Sequence, residues 1–525
     1  MSDRTVMSVT FFGGVADPDV NNLTGSCTLF KVKQGKRITN ILVDAGLIQG
    51  SFHGFLNKNQ EILEQLNLKD IDFIILTHSH IDHIGRLPLF TKYGFKGRII
   101  CTEGTANLLN VMLEDSAKIQ MAEAGYLNAK AKKAGHDKQS KHYKPSACGK
   151  YDRVKLLNKK YRQKNENHYS PLYTTKDVAD VEALVKNGGY GYYEWIGLSH
   201  NVSVKFYPSG HVMGGSIVVI KVKNGQADLH LCFSGDLGRR DGIILPPPDL
   251  PEEKIGWLIS ESTYGGRMHP DRDKEIKKLL DIIRKAAKNK QRIIIPSFAL
   301  ERSQEIIYLL SYYMSKGEIP VIPIYLDSPL ASRITTVFSE GWRLGMFSDQ
   351  DRLGFNPFDI LENPYLKIIT EQKDSDALIA HDGPHVIIAG SGMCDAGRVR
   401  AHLRANAGNI NTIICLVGYM AANSLGRKIK DGWRTVNMNK QEIIIKADVF
   451  SFDSLSAHAD HEFLVQYILS VLAKNPDSDK RVFLVHGEAK SAQDLRVGVE
   501  MELTQKLKEK TRIAIPKLNQ EFILT

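Results

Sequence analysis

Short apolar runs separated by polar breaks dominate the first half of the chain. Runs at residues 41–43, 73–76, 99–101 and 216–222 are continuous, whereas those at 202–207 and 229–233 alternate in polarity. Both patterns are typical of buried or half-buried β-strands. An alternating run at 6–12 predicts that the first strand begins close to residue 1, in place of a signal peptide. With few helices predicted before residue 240, the pattern favours packed sheets.

The pattern changes between about 250 and 425. Buried parallel strands are predicted at 293–295, 321–325, 386–389 and 412–417. A helix is predicted at 299–314, because Ile306, Leu309, Leu310 and Tyr313 repeat at the spacing of one buried helix face. Strands that alternate with helices indicate a separate α/β layer.

Strands return at 443–449 and 481–485, with a helix between them. We therefore predict a first domain built from 1–245 and 429–525, with 246–428 inserted into it. A chain of 525 residues is long enough for two such cores.

Composition indicates a soluble globular enzyme, since 42% of residues are hydrophobic and 24% are charged. No apolar stretch is long enough to cross a bilayer, so no membrane partner is predicted. The six cysteines are scattered, which argues against disulfides or a cysteine zinc site and favours a reducing, cytoplasmic location.

The net charge of +10 is concentrated in one segment. Residues 130–164 hold thirteen Lys and Arg against two Asp, within a basic insertion at about 123–170. Tyr143, Tyr151 and Tyr161 lie in the same segment and could stack on bases. A solvated surface insertion and contact with a polyanion are both open interpretations of this segment.

The strongest local motif is Thr77-His78-Ser79-His80-Ile81-Asp82-His83, directly after the predicted strand at 73–76. In an extended chain His78 and His80 point the same way, and Asp82 and His83 follow at a turn. Four ligand-type side chains within six residues can hold two metal ions side by side. Imidazole and carboxylate ligands suit zinc, and also manganese or iron.

Three further ligand-type residues lie just past predicted strands and beside glycines, which allow close backbone approach. They are His211 in Gly210-His211-Val212-Met213-Gly214, Asp236 in Gly235-Asp236-Leu237-Gly238, and His486 in Val485-His486-Gly487. Each alone is typical of a turn or cap, but together with the cluster they favour a metal site.

This ordered set, with Asp44 in Val43-Asp44-Ala45-Gly46, resembles the metallo-β-lactamase superfamily. The resemblance implies an αββα sandwich with two divalent ions, zinc by preference. It implies His78, His80 and His211 on one ion, Asp82, His83 and His486 on the other, and Asp236 between them. Asp44 is implied to orient a ligand by hydrogen bonds, and we count Asp82 and Asp44 among the catalytic residues.

Further motifs resemble the β-CASP nucleases, whose cap is an inserted α/β domain. Glu261-Ser262-Thr263-Tyr264-Gly265 is similar to their motif A, Ser456-Ala457-His458-Ala459-Asp460 to motif B, and His486 to motif C. Additional matches are Pro296-Ser297-Phe298-Ala299, Asp327-Ser328-Pro329 and Val417-Gly418-Tyr419. Histidine at motif C is typical of the RNA-processing members. The histidine motif, followed by Gly85-Arg86-Leu87-Pro88, resembles the nuclease subunit of the polyadenylation cleavage factor more closely than ribonuclease J, and bacteria and archaea carry similar single-chain enzymes.

The resemblance predicts a metal-dependent endoribonuclease. A water activated by two metals would hydrolyse RNA and leave 5′-phosphate and 3′-hydroxyl ends. His458 is the candidate general acid, with Glu261 holding it in place. Ser391-Gly392-Met393, in a loop after a strand, could present backbone N–H groups to a phosphate, and a simple structural turn is the alternative.

Other functions stay open at this point. A 5′-to-3′ exoribonuclease or a DNA nuclease would use the same chemistry. A small-molecule hydrolase such as a lactamase or thioesterase, and a non-catalytic RNA-binding scaffold, are the alternatives of other classes. The sequence does not decide between zinc and manganese, and it leaves the oligomeric state open, with a homodimer as one option.

Overall fold

The structure is a computed structural model that describes residues 5–16, 24–49, 52–135, 169–185, 188–225, 227–348, 350–418, 420–421, 423–438 and 441–524. Most of the basic segment, with Tyr143, Tyr151 and Tyr161, lies outside the described residues. Tyr419 of the predicted motif lies outside them as well.

The described residues form twenty-one strands in three larger sheets and one hairpin. The first sheet contains β1 (Thr5–Gly13), β2 (Cys27–Gln34), β3 (Arg37–Val43), β4 (Phe73–Ile75), β5 (Arg98–Ile100) and β21 (Glu521–Ile523). The second contains β6 (Ile196–Gly197), β7 (Val202–Pro208), β8 (Ser216–Asn224), β9 (Ala227–Phe233), β10 (Trp257–Glu261), β19 (Lys480–Val485) and β20 (Thr511–Ala514).

The third sheet contains β11 (Arg292–Pro296), β12 (Ile324–Leu326), β13 (Leu366–Ile368), β14 (His385–Ala389), β15 (Thr412–Val417) and β18 (Asp448–Phe452). The hairpin consists of β16 (Thr435–Met438) and β17 (Gln441–Ile444).

The α-helices are α1 (Phe52–Gln65), α2 (Ile81–Ile84), α3 (Leu87–Lys92), α4 (Glu103–Gly135), α5 (Thr175–Glu182), α6 (Arg272–Lys288), α7 (Arg302–Ser315), α8 (Pro329–Arg343), α9 (Gln372–Ile379), α10 (Val399–Asn406), α11 (Leu425–Lys430), α12 (His461–Ala473), α13 (Ala489–Glu502) and α14 (Gln505–Lys510).

The first two sheets pack face to face. Val9 and Phe30 of the first sheet share a buried apolar core with Phe206, Val218 and Phe483 of the second. Helices α1, α3 and α4 cover the outer face of the first sheet, and α12 and α13 cover the outer face of the second. The predicted αββα sandwich is therefore confirmed.

The third sheet is a separate, wholly parallel layer with the order β13-β12-β14-β11-β15-β18. It is inserted between two neighbouring strands of the second sheet. The chain leaves that sheet at the end of β10 and returns at β19, which pairs with β10 in parallel. This arrangement confirms the predicted insertion of an α/β domain, which we call the cap.

Two strands lie on the other side of the predicted domain limits. Trp257–Glu261, predicted within the insertion 246–428, pairs with β9 and β19 of the sandwich. Asp448–Phe452, predicted within the tail 429–525, pairs with β15 of the cap. Strand partners are long-range choices, and the local apolar pattern of a strand does not contain them.

Three details of the pattern analysis are wrong. Helices before residue 240 are not few, since α1 and the 33-residue α4 lie there. The single strand predicted at 443–449 is divided between β17 and β18. The helix predicted from 299 begins at Arg302, because Glu301 has a φ of 67°, outside the helical range.

Among the described residues, none of the helices combines the length and the apolar character that a membrane span requires.

One buried carboxylate ties the elements of the cap together. Asp327 follows β12 and is fully buried. Its carboxylate accepts hydrogen bonds from Arg398 (2.7 Å) and Ser375 (2.6 Å) and lies 2.6 Å from Nε2 of His402. These three residues come from α9 and from the start and middle of α10, so one charge fixes two helices against the sheet.

We expect Asp327→Asn to destabilise the protein by about 3 kcal/mol or more, because the largely buried Arg398 would keep its backbone acceptors but lose the negative charge that neutralises it. Urea denaturation followed by circular dichroism measures this free energy of unfolding. Asp382→Asn is the matched control, since the Asp382 side chain is 99% exposed and also pairs with an arginine, Arg292. The control should stay within about 0.5 kcal/mol of the wild type, and equal effects of the two substitutions would contradict the role of Asp327.

Candidate metal centre

The ligand-type residues meet because the strands that precede them end at one edge of the sandwich. Asp44 follows β3, His78 and His80 follow β4, Asp236 follows β9, and His486 follows β19. Strands β3 and β4 are parallel neighbours in one sheet, as are β9, β10 and β19 in the other. Carboxyl ends of parallel strands meet at the same edge, where ligand sites form in such sheets.

The first cluster consists of His78, His80, His211 and Asp236, whose ligand atoms lie within 4.8 Å of one another. Nδ1 of His80 lies 3.0 Å from Nε2 of His78 and 3.2 Å from Nε2 of His211. His211 reaches the cluster from the loop between β7 and β8. Ring nitrogens from distant parts of the sequence therefore converge on one point.

The second cluster consists of Asp82, His83 and His486. The one-turn helix α2 carries the first two side chains. Nε2 of His486 lies 3.1 Å from Nε2 of His83 and 3.4 Å from Oδ2 of Asp82. The turn predicted after His80 is thus the single turn of α2, and its Asp82 and His83 side chains both face His486.

Asp236 lies between the two clusters with one oxygen toward each. Its Oδ2 is 3.6 Å from Nε2 of His78 and 3.5 Å from Nε2 of His211. Its Oδ1 is 3.5 Å from Nε2 of His83 and 3.2 Å from Nδ1 of His486. This Oδ1 is buried, and no described residue gives it a conventional hydrogen bond. A buried carboxylate oxygen without a donor is a suitable ligand for a cation.

The protonation of the histidines in the first cluster fits the same chemistry. In the second cluster burial alone would lower the pKa of His83 and His486, but neighbouring carboxylates, Asp236 foremost, raise it above the usual value. Burial lowers the pKa of His78 and His211 well below the usual value, and it lowers that of His80 to about 4. These imidazoles are therefore neutral near pH 7, which is the form that binds metal ions. Neutral imidazole nitrogens with carboxylate oxygens form a donor set that fits divalent cations.

Asp44 supports the second cluster from behind. Its Oδ2 lies 2.8 Å from Nδ1 of His83, which leaves Nε2 of that ring facing Asp236 and His486. The N–H of Thr77 donates to Asp44 Oδ1 (2.8 Å), and the Thr77 hydroxyl donates to Oδ2 (2.9 Å). Because the carboxylate is held in this way, it fixes the orientation of the His83 ring.

His458 and Glu261 meet beside the first cluster. Nδ1 of His458 is 3.3 Å from Oε1 of Glu261, and its ring centroid is 4.5 Å from that of His211. Burial alone would lower the pKa of His458, but the Glu261 carboxylate raises it above the usual value. Glu261 also accepts from the N–H groups of Leu237 (2.6 Å) and Thr263 (3.2 Å), so its position is fixed.

Sequence reasoning missed several residues that contact the clusters. The Thr263 hydroxyl donates to the His486 carbonyl oxygen (2.9 Å) and lies 3.2 Å from Nδ1 of that ring. His269, which lies outside every motif in the sequence analysis, has its Nε2 2.9 Å from the carbonyl oxygen of His458. Thr77 and Thr263 lie inside the motifs quoted above, so their position next to predicted ligands could have identified them. His269 lies in no such motif, and the sequence has no feature that would identify it.

The Ser391-Gly392-Met393 loop is folded on itself. The Ser391 N–H donates to the Ala396 carbonyl oxygen (3.1 Å). Contrary to the prediction, this N–H is therefore already paired and is not free to bind a phosphate. Gly392 packs so closely on Phe298 that a Cβ there would lie 2.7 Å from the ring. A phosphate site at Gly392 and Met393 stays a prediction.

Two glycines let the ligand loops touch. A Cβ on Gly46 would lie 1.6 Å from the carbonyl oxygen of Asp82. A Cβ on Gly238 would lie 1.9 Å from the carbonyl oxygen of Gly210 and 2.7 Å from the amide nitrogen of His211. Backbone atoms cannot yield like flexible side chains, so any larger residue must push the loops apart.

A sandwich that gathers histidines and aspartates at one strand-end edge, under an inserted α/β cap, defines a class of metal-dependent hydrolases. Three family models match consecutive parts of the chain. Residues 23–297, more than half of the chain, match the metallo-beta-lactamase superfamily. Residues 303–429 match the Beta-Casp domain, and residues 442–514 match the Zn-dependent metallo-hydrolase RNA specificity domain.

Similar proteins come from bacteria and archaea. Ribonuclease TTHA0252 of Thermus thermophilus is 29% identical over 89% of this chain and 91% of its own length. Transcription termination factor FttA of Cenarchaeum symbiosum is 24% identical over 95% of this chain and 69% of its own. An RNase J-like protein of Methanocaldococcus jannaschii is 26% identical over 88% and 89%. The chain belongs to the metallo-β-lactamase superfamily, in its β-CASP family.

We expect Gly238→Ala to destabilise the protein by about 1–3 kcal/mol, because the new methyl group must separate the Asp236 loop from the His211 loop. Urea denaturation measures the free energy of unfolding, and equilibrium dialysis against a divalent ion measures whether binding weakens in parallel. Gly197→Ala is the control, since a Cβ there meets no atom within 4 Å. Wild-type stability and wild-type ion binding in Gly238→Ala would show that the loops do not need this contact.

Proposed function

We propose that the chain is a metal-dependent endoribonuclease that hydrolyses RNA phosphodiesters with two divalent ions, zinc by preference. The observation that carries the proposal is the position of His458, a histidine held by a buried carboxylate, directly beside two adjoining His/Asp clusters. The name of the Thermus relative, a ribonuclease aligned over nearly its whole length, supports RNA as the substrate.

In this proposal His78, His80 and His211 hold one ion, and Asp82, His83 and His486 hold the other. Asp236, which lies between the two clusters, would help to hold both ions. Imidazole nitrogens form most of the donor set, which favours zinc over magnesium or calcium. When bound, a pair of such ions supplies positive charge for the phosphate oxygens and makes a water molecule more acidic.

The protein's own groups handle the leaving oxygen. Nδ1 of His458 faces Glu261, so Nε2 is the nitrogen left to donate a proton to the departing ribose oxygen. The buried Glu261 carboxylate keeps the imidazole charged and oriented until the proton is needed. Attack by water at phosphorus then leaves a 5′-phosphate on one product and a 3′-hydroxyl on the other.

The first test uses one RNA sequence in linear and covalently circular forms. We expect wild-type protein to cut both, and chelator to abolish cleavage. His458→Ala should lower kcat by about 10²- to 10⁴-fold, the usual contribution of a general acid. Gel analysis of labelled RNA with end-group mapping measures rate and product chemistry.

The control for this experiment is His200→Ala, because His200 is an exposed histidine whose Nε2 lies 3.0 Å from Oε1 of Gln34 and which belongs to neither cluster. Bound metal is quantified for every protein, so that a loss of rate is not a loss of ions. Cleavage of the linear RNA alone would make the protein an exonuclease. Cleavage that survives the chelator, or hydrolysis of a thioester or lactam without cleavage of RNA, would overturn the proposal.

We also expect Asp44→Asn to weaken divalent-metal binding by about 10- to 100-fold, because an amide cannot replace the carboxylate that orients His83. Competition with a fluorescent chelator measures the affinity. The control is Asp228→Asn, since Asp228 is exposed at the start of β9, away from the carboxyl end that carries Asp236. Unchanged affinity in Asp44→Asn would exclude this orienting role.

A further inference from the structure

A strip of positive charge runs along α6, on the surface of the cap. The helix carries seven Lys and Arg against three acidic residues. A groove of about 370 Å³ follows its exposed face. The groove is lined by Lys274, Lys277, Lys278, Asp281, Ile282 and Lys285. We call this surface the α6 groove. Lys274 pairs with Asp271 (3.3 Å) and Lys285 with Asp448 (3.1 Å), so the positive charge that can attract an anion is centred on Lys277 and Lys278.

Helix α6 begins beside the candidate metal centre. Arg272 lines a small cavity together with His211, Arg239 and Arg302. Asp241 pairs with both Arg239 (2.8 Å) and Arg272 (3.4 Å), and Nη1 of each arginine is buried with no hydrogen-bond partner among the described residues. At about 100° per residue, Arg272 lies about 200° around the helix from Lys274, so the lysines occupy the opposite, exposed face of a helix that starts at the cavity.

The dimensions and the chemistry of the strip suit a nucleic-acid backbone. From Arg272 to Lys285 the helix rises about 20 Å at 1.5 Å per residue, the length of several phosphates. Aromatic rings accompany the charges. Nζ of Lys278 lies 5.6 Å from the ring centroid of Phe450 and 5.3 Å from that of Phe452. Phe450 is only half-buried, and a half-exposed ring beside cations can stack on an unpaired base.

We propose that single-stranded RNA, on one side of the bond to be cut, leaves the cleft along the α6 groove, with its phosphates on Lys274, Lys277, Lys278 and Lys285. The inference rests on the proposed ribonuclease function. It assigns to the cap a substrate-binding surface outside the metal clusters. The lysines act by charge alone, so they set affinity for long RNA and leave the chemical step unchanged.

The test compares two triple variants that each remove three positive charges. One replaces Lys274, Lys277 and Lys278 with Ala, and it leaves Lys285 in place because that residue pairs with Asp448. The control replaces the exposed Lys31, Lys33 and Lys36, which lie at or beyond the end of β2, opposite the strand ends that carry the clusters. Thermal melting establishes that both variants are folded.

The affinity for long unstructured RNA is measured by fluorescence anisotropy in chelator, and KM and kcat are measured on the same RNA with metal. We expect the α6 variant to raise Kd and KM by about tenfold to 100-fold at 0.1 M salt. The slope of log affinity against log salt should fall by about 2, since each single-strand phosphate contact contributes roughly 0.7. Its kcat, and its hydrolysis of bis(p-nitrophenyl) phosphate, should match the wild type.

The outcomes separate this inference from the proposed function. The proposal that RNA binds the α6 groove fails if the α6 variant binds and cuts long RNA like the wild type. It also fails if the α6 variant is affected no more than the control variant. The proposal also fails if the α6 variant loses bis(p-nitrophenyl) phosphate hydrolysis as much as it loses RNA cleavage. The lysines would then be needed for the candidate metal centre itself and not for binding long RNA. If the wild-type protein binds RNA through these lysines but cuts none, RNA binding by the α6 groove is supported and the proposed ribonuclease function is refuted.

Discussion

The carboxylate of Asp236 lies within 3.6 Å of nitrogens from four histidines, in a place where only 3% of the residue is exposed. Such a concentration of ligand groups, shielded from water, is unfavourable unless a positive charge is shared among them. The surrounding structure is built to bring these groups together. Parallel strands end at the same edge, glycines allow the loops to touch, and Asp44 holds one ring from behind.

The insertion of the cap places a second pair of groups at that edge. Glu261 is the last residue of the strand from which the chain enters the cap, and His458 lies shortly after β18, where the chain returns. The proposed acid and its partner therefore sit at the two crossings between domains. Contacts of the cap with the sandwich lie nearby, since Glu301 of the cap accepts a hydrogen bond from the N–H of Met213 in the His211 loop (3.1 Å). A change in the position of the cap would act directly on both groups.

Most residues of the candidate site could be predicted from short sequence motifs, and most strands could be predicted from local apolar patterns. The histidine cluster, Asp236 and His486 each stand directly after a strand whose apolar run is visible in the sequence, so their common edge follows once the strands are parallel. Helix α4 was missed because its clearly apolar stripe is confined to its first half, as at Leu109, Met112 and Leu113, while most of the later turns are exposed. His269 was missed because its role depends on contact with a backbone oxygen 189 residues away.

The sequence by itself determined the class of fold, the insertion of an α/β layer, and the ligand types at the strand ends, because these are written in residue type and short spacing. Only the tertiary structure decided which strands belong to which domain, which oxygen of Asp236 faces which cluster, and that α6 starts at the cavity beside His211 with a row of lysines on its exposed face. Those features depend on distances between segments hundreds of residues apart. Such distances are set by the packing of whole sheets and helices, which no local pattern of side chains contains.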